Sequence, residues 1–168
     1  AHQVGSELSL NELANALQIH KATVERYLDL LEKNFVLFRV GGFSRNLRKE
    51  VTKSRRYYFV DCGVRNAVID QFQPLRLRPD LGALWENFVV NERIRKIDYQ
   101  NLERKAYFWR TYDQQEIDHI EVDTAGVIEA FECKWKEKAY KPPSAWVKAY
   151  PACPVNLVHS KNFMQFLG

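Results

Sequence analysis

At 168 residues and 19.8 kDa the chain is long enough for one ordinary domain or two small ones. With 46% hydrophobic and 13% aromatic residues it can bury a core, which excludes a disordered chain, and no apolar run approaches the roughly 18 residues of a membrane-spanning helix. The net charge of +4 is uneven: residues 1–68 hold 11 Lys and Arg against 7 Asp and Glu, whereas residues 69–168 hold 14 of each, so an anion-binding front half is expected ahead of a charge-balanced rear half.

The opening AHQVGSELSL carries neither the basic nor the apolar region of a signal peptide. It begins without Met directly before a helix signal, as expected of a piece of a longer protein. Cys62, Cys133 and Cys153 are widely spaced, form no CxxC pair and do not complete a zinc set with the four histidines. Buried, reduced thiols and a reducing compartment are expected.

Ser9-Leu10-Asn11-Glu12 is a capping box, and Leu10, Leu13, Ala14 and Leu17 follow at helical spacing. After a break at Gln18–His20, a second helix runs from about Lys21 to Lys33, with Val24, Tyr27, Leu28 and Leu31 as its stripe. Two helices joined by so short a turn make a helix-turn-helix. Strands are predicted at Phe35–Val40 and Arg56–Val60, and a hairpin in that place completes a winged helix. Between Arg39 and Arg56 stand Arg39, Arg45, Arg48, Lys49, Lys53, Arg55 and Arg56 against Glu50 alone. Such a loop suits non-specific contact with DNA phosphates. Lys21, Arg26 and Lys33 on the second helix are cancelled by Glu25, Asp29 and Glu32, which argues against reading of bases. The alternative is a winged helix that serves only as spacer or protein-docking module.

A short helix at 61–69 closes this first module, residues 1–70, and 71–80, with Pro74 and Pro79, reads as a linker. Residues 81–168 form the second module. Asp80 is placed to cap a long helix, LGALWENFVVNERIRK, on which Glu86 sits among apolar and small neighbours, either paired with Arg93 or aimed at a metal. Strands follow at Lys105–Arg110 and on either side of the turn Asp123–Gly126, then a short helix around Trp146, a strand at Val155–His159 and a terminal helical turn. That order gives an α+β chain whose rear half is an α/β layer with a mixed central sheet.

The hairpin from Tyr112 to Lys136 carries the candidate chemistry. Asp118 lies on its first strand, Glu132 and Lys134 on its second. A four-residue turn closing Val122 onto Val127 would put Asp118 and Glu132 on opposite faces, so their convergence requires an odd-length loop or a bulge. Converging carboxylates disfavour double ionisation unless a cation is present, and oxygen-only ligands suit Mg²⁺ or Mn²⁺. Lys134 would then position water or stabilise transition-state charge, and Glu86 would hold a metal-bound water or a second ion. Without a bound ion, the same residues are ordinary surface charges, with Asp118 cross-paired to Lys134.

The run ELSLNELANALQIHKATVERYLDLLEKNFVLFRVGGFSRNLRKE, with LWENF, EIDHIE and FECKWK after it, resembles the C-terminal half of prokaryotic AAA-type ATPases. Those proteins carry a winged helix and a domain of unknown function related to the restriction-endonuclease-like PD-(D/E)XK superfamily. The resemblance implies a cytoplasmic protein with its ATPase module upstream; this sequence contains no GxxxxGK[ST] loop. By position, the superfamily's helix carboxylate falls on Glu86, its strand acid on Asp118 and its (D/E)xK on Glu132 and Lys134. The strand acid stands in Glu-Ile-Asp, not after Pro, a form that resembles the resolvase-like branch. The expected function is nucleic-acid handling for an ATPase, with Mg²⁺- or Mn²⁺-dependent phosphodiester hydrolysis. The alternative is a non-catalytic DNA-binding or protein-docking module on the same fold.

Overall fold

A computed structural model describes residues 1–45 and 54–168. Helix α1 (Leu10–Leu17) begins where the Ser9 hydroxyl accepts from the Glu12 N–H at 3.3 Å, and α2 spans Lys21–Lys33. Strands β1 (Leu37–Gly42) and β2 (Arg55–Phe59) pair antiparallel. Helix α3 (Cys62–Val68) is capped by the Asp61 carboxylate on the Val64 N–H at 2.8 Å. After a 3-10 turn at Leu75–Leu77, α4 spans Leu81–Tyr99. Then come β3 (Arg104–Arg110), β4 (Glu116–Asp123), β5 (Ile128–Cys133), α5 (Ser144–Ala149), β6 (Val155–Val158) and α6 (Phe163–Leu167).

The principal difference from the sequence reading is that the first hairpin is not a free wing. All six strands form one mixed sheet in the order β2-β1-β3-β4-β5-β6, with β1 parallel to β3 through Gly41–Tyr107 and Gly42–Phe108. Residues 71–80 are not a loose tether either. Arg78 is buried and donates to the Gln71 carbonyl, the Asn66 side chain and Asp80. Asp80 makes no side-chain cap on α4; the hydrogen bond from Arg78, with help from Arg65, holds its carboxyl far below the usual range.

The outer edge of β2 is covered by the N-terminal segment, where the Gly5 N–H donates to Tyr57 and the Leu8 N–H to Arg55. Further along, Asn87 of α4 accepts from the Phe59 N–H at 2.7 Å and donates to the Phe59 carbonyl at 3.1 Å, as a neighbouring strand would. Covered edges of this kind resist pairing with other chains. One face of the sheet packs Trp109, Ile117, Ile120 and Ala130 against Trp146 and Tyr150 of the α5 region. Elsewhere, Trp85 and Val89 of α4 meet Phe131, Cys133 and Val158.

Two local irregularities set the geometry of the β4–β5 hairpin. The pairs His119–Phe131, Ile120–Ala130, Glu121–Glu129 and Val122–Ile128 place Asp118 across from Glu132, one step further along. That register arises because the loop closes Asp123 onto Val127, with the Asp123 N–H on the Val127 carbonyl at 3.1 Å and Gly126 at φ +79°. The loop therefore has three residues with glycine in the left-handed region, a common hairpin form. Gly126→Ala keeps tolerable space, its Cβ 3.4 Å from the Arg45 guanidinium, but strains the backbone. Urea denaturation is expected to register a loss of about 1 kcal/mol.

The second irregularity is a bulge: Tyr107 pairs with Ile120 but Trp109 with Ile117, so Asp118 and His119 together face Phe108. It lets Ile117 and Ile120, of opposite parity, enter the same core.

Candidate active site

Asp118 sits at the bulge with 6% of its side chain exposed, and its Oδ2 accepts the Cys133 N–H at 2.9 Å. That bond fixes the carboxylate against β5, beside the Glu132 it opposes. Glu132 is 7% exposed; one of its oxygens lies 2.6 Å from Lys134 Nζ, while Oε2 is buried with no protein hydrogen bond. Burial, then the Asp118 charge, pushes the Glu132 carboxyl upward. Burial alone would lower Lys134, but Asp118, Glu132 and Glu86 outweigh it and hold the ammonium protonated. Tyr140, which no motif or spacing singles out, reaches the Glu132 carboxyl; burial and then that charge push its phenol upward.

Glu86 does not pair with Arg93. Its Oε1 accepts from the Tyr58 hydroxyl at 2.8 Å and lies 3.4 Å from Arg56 Nη1. Gly5 presses on it so closely that a Cβ there would stand 2.8 Å from Oε1. Burial first, and Asp118 second, push Glu86 up to about 8. Beside it opens a cleft of about 430 Å³ lined by Gly5, Glu7, Arg56, Glu86, Arg110 and Glu116.

Arg56 requires the plainest correction. Expected at the end of a basic loop as an exposed phosphate contact, it stands in β2 with 2% of its side chain exposed. Strand alternation turns it inward with Tyr58 while Arg55 faces solvent. Its guanidinium stacks over Phe108 at 4.7 Å and bridges Glu116 at 2.5 Å, Glu86 at 3.4 Å and Asp118 at 3.6 Å. Burial opposes its charge, but Tyr58 and the three carboxylates raise its pKa further.

Of the other basic residues read as nucleic-acid contacts, Lys21, Arg26 and Arg55 are exposed. Arg45 gives its guanidinium to the Gly126 carbonyl, and Arg48, Lys49 and Lys53 lie outside the described residues.

Among the described residues, no three His, Cys, Asp or Glu side chains are gathered into one metal-ligand set. Glu86 and Asp118 both meet the Arg56 guanidinium, at 3.4 and 3.6 Å. What remains is the pair Asp118 and Glu132, with one orphaned buried oxygen. That donor set fits a cation such as Mg²⁺, which takes one or two carboxylates and completes its shell with water and phosphate oxygens.

Residues 1–75 match the domain of unknown function DUF8612 and residues 81–159 the domain of unknown function DUF4143. DUF4143 domains typically stand at the C-terminal end of AAA-type ATPases. The two matches flank residues 76–80, yet one sheet runs through both regions. The uncharacterized proteins Mb2031c of Mycobacterium bovis and Rv2008c of Mycobacterium tuberculosis are each 32% identical over 136 residues, 80% of this chain and 30% of the relative. The chain thus spans less than a third of those relatives' length. No solved structure matches it. Among the described residues, no helix is long and apolar enough to cross a membrane.

Proposed function

We propose that the DUF4143 region is a divalent-metal-dependent phosphodiesterase acting on nucleic acid, as the C-terminal part of an AAA-type ATPase. The observation that carries this reading is the opposition of Asp118 and Glu132, with Glu132 Oε2 left without a protein partner and Lys134 Nζ at the other oxygen. Asp118 and Glu132 would hold Mg²⁺ or Mn²⁺. When bound, such an ion polarises a phosphate oxygen and lowers the pKa of an attacking water.

The chain's own residues would do the rest. The Cys133 N–H orients Asp118, so little reorganisation is needed on binding. Lys134 stays charged beside the reacting phosphate and stabilises negative charge in the transition state. Glu86, held by the Tyr58 hydroxyl and the Arg56 guanidinium, forms the wall of the site on the Asp118 side.

A second reading draws on Arg56. A guanidinium that already meets Glu86, Glu116 and Asp118 is a permanent counter-ion, and the cluster would then be the structural heart of a binding or docking module.

The two readings part on metal. Mg²⁺ or Mn²⁺ is expected to raise the thermal midpoint relative to EDTA, in the manner of any ligand of the folded state, and the rise should vanish in Asp118→Asn and Glu132→Gln. Cleavage of supercoiled, linear and branched DNA should fall at least about 10²-fold in Asp118→Asn. A midpoint indifferent to both ions would favour the counter-ion reading, and cutting that survives the substitution would remove the hairpin from the chemistry.

A further inference from the structure

A site that cleaves a phosphodiester needs cations to hold the flanking backbone, and several of the described residues expected to supply them are engaged or offset by acids. Arg56 is turned inward, and Arg39 lies 3.5 Å from Glu32 and 3.9 Å from Asp29. Lys21 and Arg26 share α2 with Glu25, Asp29 and Glu32.

The segment that leaves β5 is different. Beyond Cys133 the Lys134 N–H bonds the Val158 carbonyl, and the Trp135 carbonyl accepts from Ser160, so the start of the segment is tied to the β6 side. From Lys136 to Pro143 the backbone is irregular, and Lys136, Lys138 and Lys141 are exposed. None of the three is in an ion pair with a described residue. The segment's acid, Glu137, is neutralised by Lys161 at 2.8 Å. The segment also returns to where it began: Lys134 touches one oxygen of Glu132, and Tyr140 reaches the same carboxyl. Lys136 and Lys138 therefore ride on a loop whose ends, Lys134 and Tyr140, meet a buried carboxylate whose Oε2 has no partner among the described residues, and Lys141 follows directly after the second end.

We propose that Lys136, Lys138 and Lys141 form the phosphate-binding lip of the site, gripping the sugar–phosphate backbone of a nucleic acid next to Asp118 and Glu132. This rests on the phosphodiesterase reading. The lip contacts phosphates and not bases, since ammonium groups on an irregular segment make point-charge contacts without the planar fork that reads a base edge. Binding is therefore tolerant of sequence and steeply dependent on salt. Tyr140 is a positioning residue that keeps the lip against the carboxylate.

The test is binding of a labelled, random-sequence DNA duplex to the whole chain in Ca²⁺, measured across a salt series. Each phosphate contact contributes about 0.9 to the slope of log K against log salt. Replacing Lys136, Lys138 and Lys141 together by Ala should lower that slope by about 2 to 3, with at least a tenfold loss of affinity at low salt. A charge-matched variant, Lys33→Ala, Lys96→Ala and Lys105→Ala, should lose far less. Because the three lip lysines are exposed, an unchanged unfolding midpoint will separate lost contacts from lost structure. An RNA duplex run in parallel shows which backbone the lip prefers, and a drop in slope with either supports it. If the lip variant binds like the parent, or if the charge-matched variant loses as much, the lip is overturned while the Asp118 cleavage assay still stands on its own. If the parent binds neither nucleic acid, the lip and the phosphodiesterase reading fall together.

Discussion

Replacing Arg56 by Met should lower stability by about 3–5 kcal/mol, the usual cost of removing one partner from a buried ionic cluster. For a chain of this size that is a fall in thermal midpoint on the order of 10 °C. The substitution preserves apolar bulk over Phe108 but leaves Asp118, 6% exposed, and Glu86, 17% exposed, without the guanidinium they share. The cost should depend on pH. In the folded chain Glu86 holds its proton up to about 8, whereas the unfolded chain releases it near 4.5. Raising the pH between those values therefore favours the unfolded state, and parent stability from this group declines across that window. Glu86→Gln should flatten the decline, and Arg56→Met should extend it to higher pH, because loss of the cation raises Glu86 further. Above about pH 8, where Glu86 ionises in the parent, Glu86→Gln should recover part of the loss in the double variant, a coupling that a double-mutant cycle reads directly. An Arg56→Met protein within about 1 kcal/mol of the parent would mean that the carboxylates find their compensation elsewhere.

Glu121→Gln is the second large effect, also about 3–5 kcal/mol, with the opposite pH dependence. Glu121 is 1% exposed and takes both oxygens to Arg93, at 2.5 and 2.8 Å, with Arg104 at 3.1 Å and His119 Nε2 at 3.0 Å. Through Arg93, which also donates to the Phe166 carbonyl, the cluster ties β4 to α4 and α6. Burial would raise its carboxyl, but the hydrogen bonds from Arg93 and His119 outweigh that and hold it far below its ordinary 4.5. The unfolded chain thus takes up a proton first as acid is added. The stabilisation is complete at neutral pH and drains away below 4.5. Urea midpoints of parent and Glu121→Gln should converge as the pH is lowered through that range. A constant gap would assign the loss to packing.

These two carboxylates mark the limits of what the residues reveal unaided. The capping box at Ser9 and the helix Lys21–Lys33 are legible because each depends on local spacing. Even the register of the hairpin has a local cause, Gly126, although the turn read as four residues closes on three. Glu121 and Glu86 are not legible in this way, since their partners lie 28 positions away on other elements. Arg56 misleads for a related reason: seven basic residues in a short span look like one solvated surface. A strand boundary within that span turns Arg55 outward and Arg56 inward, and the Arg-x-Tyr alternation was the available sign. The bulge at Asp118 and the return of Tyr140 to Glu132 leave no trace in sequence spacing. Both follow from how neighbouring strands and loops pack.

The parallel contact between β1 and β3 has a bearing on how the chain is made. Gly41 and Gly42 cannot find Tyr107 and Phe108 until the ribosome has released the intervening residues. Until then a nascent hairpin, rich in Leu, Phe and Tyr, waits with one side of β1 unzipped. Long-range pairing of this type is slow to close and invites self-association meanwhile. A fragment ending near residue 75, at the edge of the first family match, would be arrested in that state and is expected to self-associate more than the 168-residue chain.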